Sequence, residues 1–259
     1  MNCIVYCLPL IAAISARAQS TPLTFRSATE QTALMELYTS EGCSSCPPAE
    51  TWLSRLKASP GLWKDFVPVA FHVDYWDHLG WRDPWAKRAF SDRQRAWAER
   101  WQSDSIYTPG FVLNGEEWRD WSEYKNGPKH SKTMTGVLTV TSSDTNHWQV
   151  SFAPVNSGAA GYEVRAALLA GGLTSEVKAG ENRGRRLTHD FVVLSLVSAP
   201  LNQTGGLAQG EFILPIRPNH AQASLAIAVW TTQIGSNEPL QATGGWLGEP
   251  GRPGGTERK

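Results

Sequence analysis

The chain has 259 residues, 24 basic and 24 acidic side chains, and no formal net charge. That balance, with no run of Lys or Arg, argues against a nucleic-acid binder or an anionic-membrane binder, both of which select a basic face. With 41% hydrophobic residues the chain can bury a substantial core, as one large domain or two ordinary ones.

The chain begins MNCIVYCLPLIAAISARAQS, with an apolar stretch from Ile4 to Ile14 that is too short to span a bilayer. Ala16-Arg17-Ala18 has the small-x-small form of a signal-peptidase site, which predicts a signal peptide over residues 1–18. Cys3 and Cys7 would leave with it, so the mature chain would keep Cys43 and Cys46 alone. In an oxidising compartment such an isolated close pair is expected to pair with itself. No later segment is apolar enough to cross a membrane, so no membrane insertion is expected after cleavage.

TALMELYTS (32–40) reads as a buried strand, short and apolar and closed by turn residues. Pro47 and Pro48 suit the first turn of a helix through AETWLSRLKAS, which should stop at Pro60-Gly61. FVPVAFHVDYW (66–76) is a second strand. DPWAKRAFSDRQRAWAERW (83–101) is helical, with Asp83 as the expected N-cap before Pro84. GFVLNG (110–115) is a short strand ending in an Asn-Gly turn, after which a companion strand should follow. This alternation implies an α/β layer fold over 31–130.

Beyond residue 130 the pattern changes. MTGVLTVTSS, HWQVSFAPV, YEVRAALLAG, LTHDFVVLSLVSAP, GEFILPI and SLAIAVWTTQ are strand-like runs separated by turn residues. They predict an all-β, sandwich-like domain over 131–247, followed by a disordered tail over 248–259.

The chemistry centres on SEGCSSCPPAE. A strand feeds a turn, and the turn feeds a helix that opens with Cys-x-x-Cys. Unpaired N–H groups and the positive end of the helix dipole favour a thiolate there. Cys43 is then the expected nucleophile and Cys46 the resolving thiol of a redox pair that needs no organic cofactor. Glu41 places an opposing negative charge nearby. Two other readings remain open. A disulfide across so small a loop would remove little unfolded-state entropy. A metal site could use Cys43, Cys46, His72 and His78 for zinc, or the thiolates for copper, although the spacing is not that of a standard zinc finger. Far along the chain, Thr108-Pro109 stands just before a short strand, where a cis-proline facing an active site would be placed.

Together, the strand–CxxC–helix order and Thr108-Pro109 resemble the thioredoxin superfamily. In that superfamily a cis-proline lies against the CxxC and the preceding residue's backbone pairs with substrate peptide. The resemblance implies that Thr108 and Pro109 bind substrate. TSEGCSSCPPAE, HVDYWDHLGWRDPWA, RQ, YTP and NG are more specifically similar to a family of secreted bacterial proteins catalogued as domain of unknown function 1223, over most of 33–115. AGENRGRRLTHDFVV (179–193) is similar to its β-rich second half. The resemblance implies a thioredoxin-like fold and a periplasmic or secreted location in the bacterial envelope, and leaves the substrate unstated. Gly110 departs from the pattern, which leads one to expect Gln after Thr-Pro.

HVDYWDHLGWRDP gathers His72, Asp74, Asp77, His78 and Asp83. His72 or Asp74 could carry a proton for Cys46; the simpler expectation is that both bond loop backbone at a strand end, with His78 on the surface. Of Trp76, Trp81 and Trp85, Trp76 is the one taken as touching substrate. ENRGRR (181–186) reads as a solvated hairpin loop. There is no GxSxG, HExxH or helix-opening GxGxxG, so hydrolase, zincin and dinucleotide chemistries lack support. The expected activity is thiol–disulfide exchange with protein or peptide thiols and disulfides. A metal carrier or a non-catalytic binding module are the alternatives.

Overall fold

The computed structural model of the chain describes residues 22–144, 146–156, 161–216 and 223–248. The expected signal peptide, and all but the first residue of the expected tail, lie outside these residues. No helix among the described residues is long and apolar enough to cross a membrane.

The first half runs β1 (Thr24–Arg26), β2 (Ala33–Thr39), α1 (Cys46–Arg55), β3 (Phe66–His72), α2 (Arg88–Arg100), β4 (Gly110–Leu113) and β5 (Glu116–Glu117). β2 and β3 are buried at every position, which is why they read as continuous apolar runs. They pair in parallel, Ala33 beside Phe66 through Thr39 beside His72. β4 adds antiparallel to β2, and Asn114 and Gly115, both at positive φ, turn the chain into β5 as the Asn-Gly pair predicts.

The second half is β6 (Gly136–Ser142), β7 (His147–Pro154), β8 (Tyr162–Gly171), β9 (Leu173–Glu176), β10 (Arg186–His189), β11 (Val192–Thr204), β12 (Leu207–Ile213), β13 (Ser224–Gln233) and β14 (Pro239–Trp246). β7 alternates buried and exposed positions, as HWQVSF predicts.

The expected architecture, an α/β thioredoxin-like domain followed by a separate β-sandwich, is not the one the chain forms. Among the described residues there are two α-helices against fourteen strands, and twelve of those strands belong to one mixed sheet. The strand that joins the halves is β11. Val192 pairs in parallel with Ala70 of β3, the middle of β11 pairs with β8, and its far end pairs with β12. A bulge between Val193 and Ser195 lets the strand bend as it passes from one part of the sheet to the other. One hydrophobic core accordingly mixes Leu34, Leu37 and Phe71 with Leu169, Phe191, Ala228 and Trp230. A second core gathers Leu138, Trp148, Phe152, Leu168 and Val229. Local strand signals do not reveal that a late strand will dock beside an early one; the burial of β3 on both faces requires it.

β9 and β10 stand apart as a two-stranded hairpin. β10 packs against α1, and this places the hairpin's loop over the cysteines.

Candidate functional site

The segment 40–46 leaves the end of β2 as tight turns. The Cys43 N–H donates to the Ser40 carbonyl, and the Cys46 N–H donates to the Cys43 carbonyl. Helix α1 begins at Cys46 with Pro47 and Pro48 in its first turn, so Cys43 lies in the turn just before the helix. Both thiols are free and buried. Cys43 Sγ lies 3.2 Å from Ser45 Oγ and 3.7 Å from the carbonyl of Thr108. The Cys46 thiol, hydrogen-bonded to Cys43, pulls the Cys43 thiol down to about 6; burial opposes that pull, and Ser45 and Thr108 add to it. Burial pushes the Cys46 thiol far up, and its bond to Cys43 acts in the same direction. The two sulfurs thus differ in acidity, Cys43 favoured as the thiolate and Cys46 keeping its proton.

The Thr108-Pro109 peptide bond is cis. The Trp76 indole N–H donates to Thr108 Oγ1 at 2.8 Å. A Cβ on Gly42 would fall 2.8 Å from Trp76 Cβ, so the glycine lets Trp76 close against the cysteine turn. The Gln94 side-chain amide holds the Tyr107 carbonyl at 2.7 Å, and a Cβ on Gly110 would lie 3.3 Å from that same amide nitrogen. Gln94 already fills the space that a glutamine at 110 would need. Past Pro109 opens a groove of about 420 Å³, lined by Tyr107, Phe111, Trp118, Arg119 and Trp121. The structure therefore brings together Cys43, Cys46, Thr108, Pro109 and Trp76.

The hairpin loop 177–185 is not solvated throughout. Asn182 is fully buried and donates to the carbonyls of Glu41 and Cys43. Glu181 accepts from the Ser44 N–H at 3.0 Å and from the Ser44 hydroxyl at 2.6 Å. These contacts come from a stretch 140 positions away, and no local signal in ENRGRR marks them.

Behind the cysteines lies a buried ionic cluster. His189 joins Glu50 through Nδ1 at 2.5 Å and Glu41 through Nε2 at 2.9 Å. Burial works against a charge on His189, but Glu50 and Glu41 outweigh it and push the imidazole up to about 10. Glu41, which looked like an obstacle to a thiolate, is thereby matched by a cation; it also accepts from Trp81 Nε1 and from the Ser175 hydroxyl. Burial tends to raise the Glu50 carboxyl, and the charged His189 holds it below its ordinary value. The Thr39 hydroxyl donates to Glu50 and is also hydrogen-bonded to the Cys46 thiol.

Several expectations change here. Asp83 does not cap α2, whose N-cap is Lys87; it is buried, binds His72 Nδ1 at 2.7 Å and accepts from the Glu41 and Trp85 amides. His72 bonds Asp83 rather than loop backbone. Asp74 is tied to Ser91 of α2, whose hydroxyl donates to its carboxylate and accepts from its N–H. His78 is exposed, with Nδ1 at the Tyr75 carbonyl. The Cys43, Cys46, His72, His78 set does not converge. Among the described residues, the metal-capable side chains that do are Glu50, His72 and His189.

This arrangement sits in a chain that belongs to the family described as protein of unknown function DUF1223, whose model matches residues 34–232. No curated protein matches the chain. Among solved structures it is similar to a crystal structure of a protein from Agrobacterium tumefaciens, at 22% identity and a TM-score of 0.55, over 84% of this chain and 94% of that one. It is also similar to HBP35 of Porphyromonas gingivalis, at 10% identity and a TM-score of 0.54, over 90% of this chain and 80% of that one. At these identities the likeness concerns the fold.

Proposed function

We propose that the protein is a thiol–disulfide oxidoreductase of the bacterial envelope, acting on protein or peptide disulfides through Cys43 and Cys46. The observation that carries this reading is the division of labour between the sulfurs: Cys43 is held near the acidity of a working thiolate by Cys46, Ser45 and Thr108. The envelope location rests on the apolar N-terminal stretch and on Ala16-Arg17-Ala18.

In the reducing direction, the Cys43 thiolate attacks one sulfur of a substrate disulfide. The substrate S–S bond breaks, a mixed disulfide forms, and the departing thiolate takes a proton from solvent. Cys46 then loses its proton and attacks Cys43. The Cys43–Cys46 bond closes and the second substrate thiolate leaves. Two electrons pass from the protein dithiol to the substrate; the reverse sequence oxidises a substrate dithiol. Thr39 Oγ1, between Cys46 and Glu50, gives the Cys46 proton a hydrogen-bonded neighbour. The cis Thr108 carbonyl and the aromatic groove past Pro109 supply the surface for an extended peptide. Cys43 is 0% exposed, so the groups packed over its turn must shift to admit it.

The test is the Cys43–Cys46 equilibrium in glutathione buffers with metals chelated, read by alkylation and mass. A reversible midpoint is expected. A value near about −270 mV would make the protein a reductant and one near about −120 mV an oxidant. Replacing Cys43 with Ser should abolish exchange and leave the fold intact. A pair that is reduced only on unfolding would overturn the reading.

A further inference from the structure

We propose that Glu50, His72 and His189 form a buried binding site for a divalent transition-metal ion of the zinc class, separate from the two thiols. One donor atom from each side chain lies within 4.8 Å of the other two. An ion held at about 2.1 Å by each of three tetrahedral donors sets them about 3.4 Å apart, so completing the site takes a movement of about 1–1.5 Å, with the 2.5 Å contact between His189 Nδ1 and Glu50 widening to admit the ion.

Two imidazoles and a carboxylate are a donor set suited to such an ion. The surroundings fit as well. His72 binds Asp83 through Nδ1, and His189 binds Glu41 through Nε2. Each ring therefore has one nitrogen fixed by a carboxylate, the arrangement that orients metal-binding imidazoles and raises their basicity. Glu50 is likewise held by the Thr39 hydroxyl. The remaining nitrogen of His72, Nε2, is buried in a side chain only 1% exposed and has no hydrogen-bond partner. An orphaned buried polar atom is costly, and a bound cation is one way to satisfy it.

The charge balance points the same way. Glu41, Glu50 and Asp83 are three buried carboxylates facing two imidazoles, so one negative charge is left over even with both rings protonated. The hydrogen bonds of these three carboxylates run to His72, His189, Trp81, Thr39, Ser175 and the Glu41 and Trp85 amides. A divalent ion would take the place of the proton between His189 Nδ1 and Glu50, with the proton leaving to solvent. Trp85 packs edge-on to both rings, with centroids 5.5 Å from His72 and 4.9 Å from His189, and is itself half-buried. Its movement would open the way in.

The experiment uses the full mature chain, stripped of metal and then titrated with Zn²⁺ or Co²⁺ against a competing chelator. It is run on the wild type, on the Cys43→Ser/Cys46→Ser double variant and on His72→Gln. The double variant should bind one ion as tightly as the wild type, with a raised Tm and Co²⁺ absorption lacking a sulfur-to-metal band. His72→Gln, with its fold checked by circular dichroism, should bind at least ten-fold more weakly. If that variant does not fold, the Co²⁺ spectrum of the double variant decides alone. The proposal is overturned if the double variant takes up neither ion, or if the Co²⁺ spectrum shows thiolate ligation that disappears with the cysteines. Loss of thiol exchange in the double variant bears only on the redox reading, so the two can fail separately.

Discussion

Asn182 donates from its side-chain amide to the backbone carbonyl of Cys43, 2.8 Å away in space and 139 positions away in sequence. The same amide holds the Glu41 carbonyl, so one residue of the β9–β10 hairpin ties both ends of the turn that carries Cys43. The turn of the first half is completed by the second.

Replacing Asn182 with Ala removes both bonds and leaves two carbonyls without that donor. The expected cost is about 1–3 kcal/mol in urea unfolding. Cys43 in the folded variant should also alkylate faster, because its turn is no longer pinned. Unchanged stability together with an unchanged alkylation rate would show that the hairpin is a bystander.

The acidity of Cys43 depends mainly on Cys46. Alkylation of Cys43 against pH should therefore show a midpoint near 6 in the wild type. In Cys46→Ala the strongest donor is gone, and the midpoint should move toward the ordinary thiol range of about 8.5. A midpoint that stayed in place would assign the effect to Ser45 and Thr108 instead.

His189 gives a pH signature in metal-free buffer. Its folded value near 10 lies above the unfolded value of about 6.5, so the folded state binds the extra proton between them. The stabilisation is fully present below about 6.5 and is lost as pH rises through about 10, with a slope of at most about 1.4 kcal/mol per pH unit. The facing groups are Glu41, Glu50, His72 and Trp85. Urea midpoints measured from pH 6 to 10 should fall for the wild type and much less for His189→Gln.

Arg93 of α2 makes two bonds to Glu36 of β2, at 2.7 and 2.8 Å, with both side chains almost wholly buried. Tyr38 and Trp97 also donate to Glu36. Arg93→Met leaves that carboxylate buried without its cation and should cost about 3–5 kcal/mol by chemical denaturation. A cost under about 1 kcal/mol would mean that the Arg93–Glu36 pair adds little to stability.

Much of the local structure was legible in the amino-acid order. The apolar run 32–40, the two prolines after Cys46, the Asn114-Gly115 turn and the alternation in HWQVSF all report backbone preferences and burial of the segment that carries them. The thiol pair and Thr108-Pro109 were legible too, because their residue types restrict what they can do. Asp83 was misread as a helix cap: a short acid before Pro84 fits that role equally well, and only its distance from His72 shows otherwise.

The sequence by itself determined most of the strands, the two helices, the cysteine turn and the family, while β1, β9 and β14 lie outside the runs that predict strands. Only the tertiary structure decided that β11 joins both halves into one sheet, that Asn182 and Glu181 grip the cysteine turn, and that His189 bridges Glu41 and Glu50. Strand periodicity and turn propensity are local and can be read from neighbours in the chain. Sheet order and the pairing of buried charges depend on contacts across more than 100 positions, where packing and desolvation choose the partner.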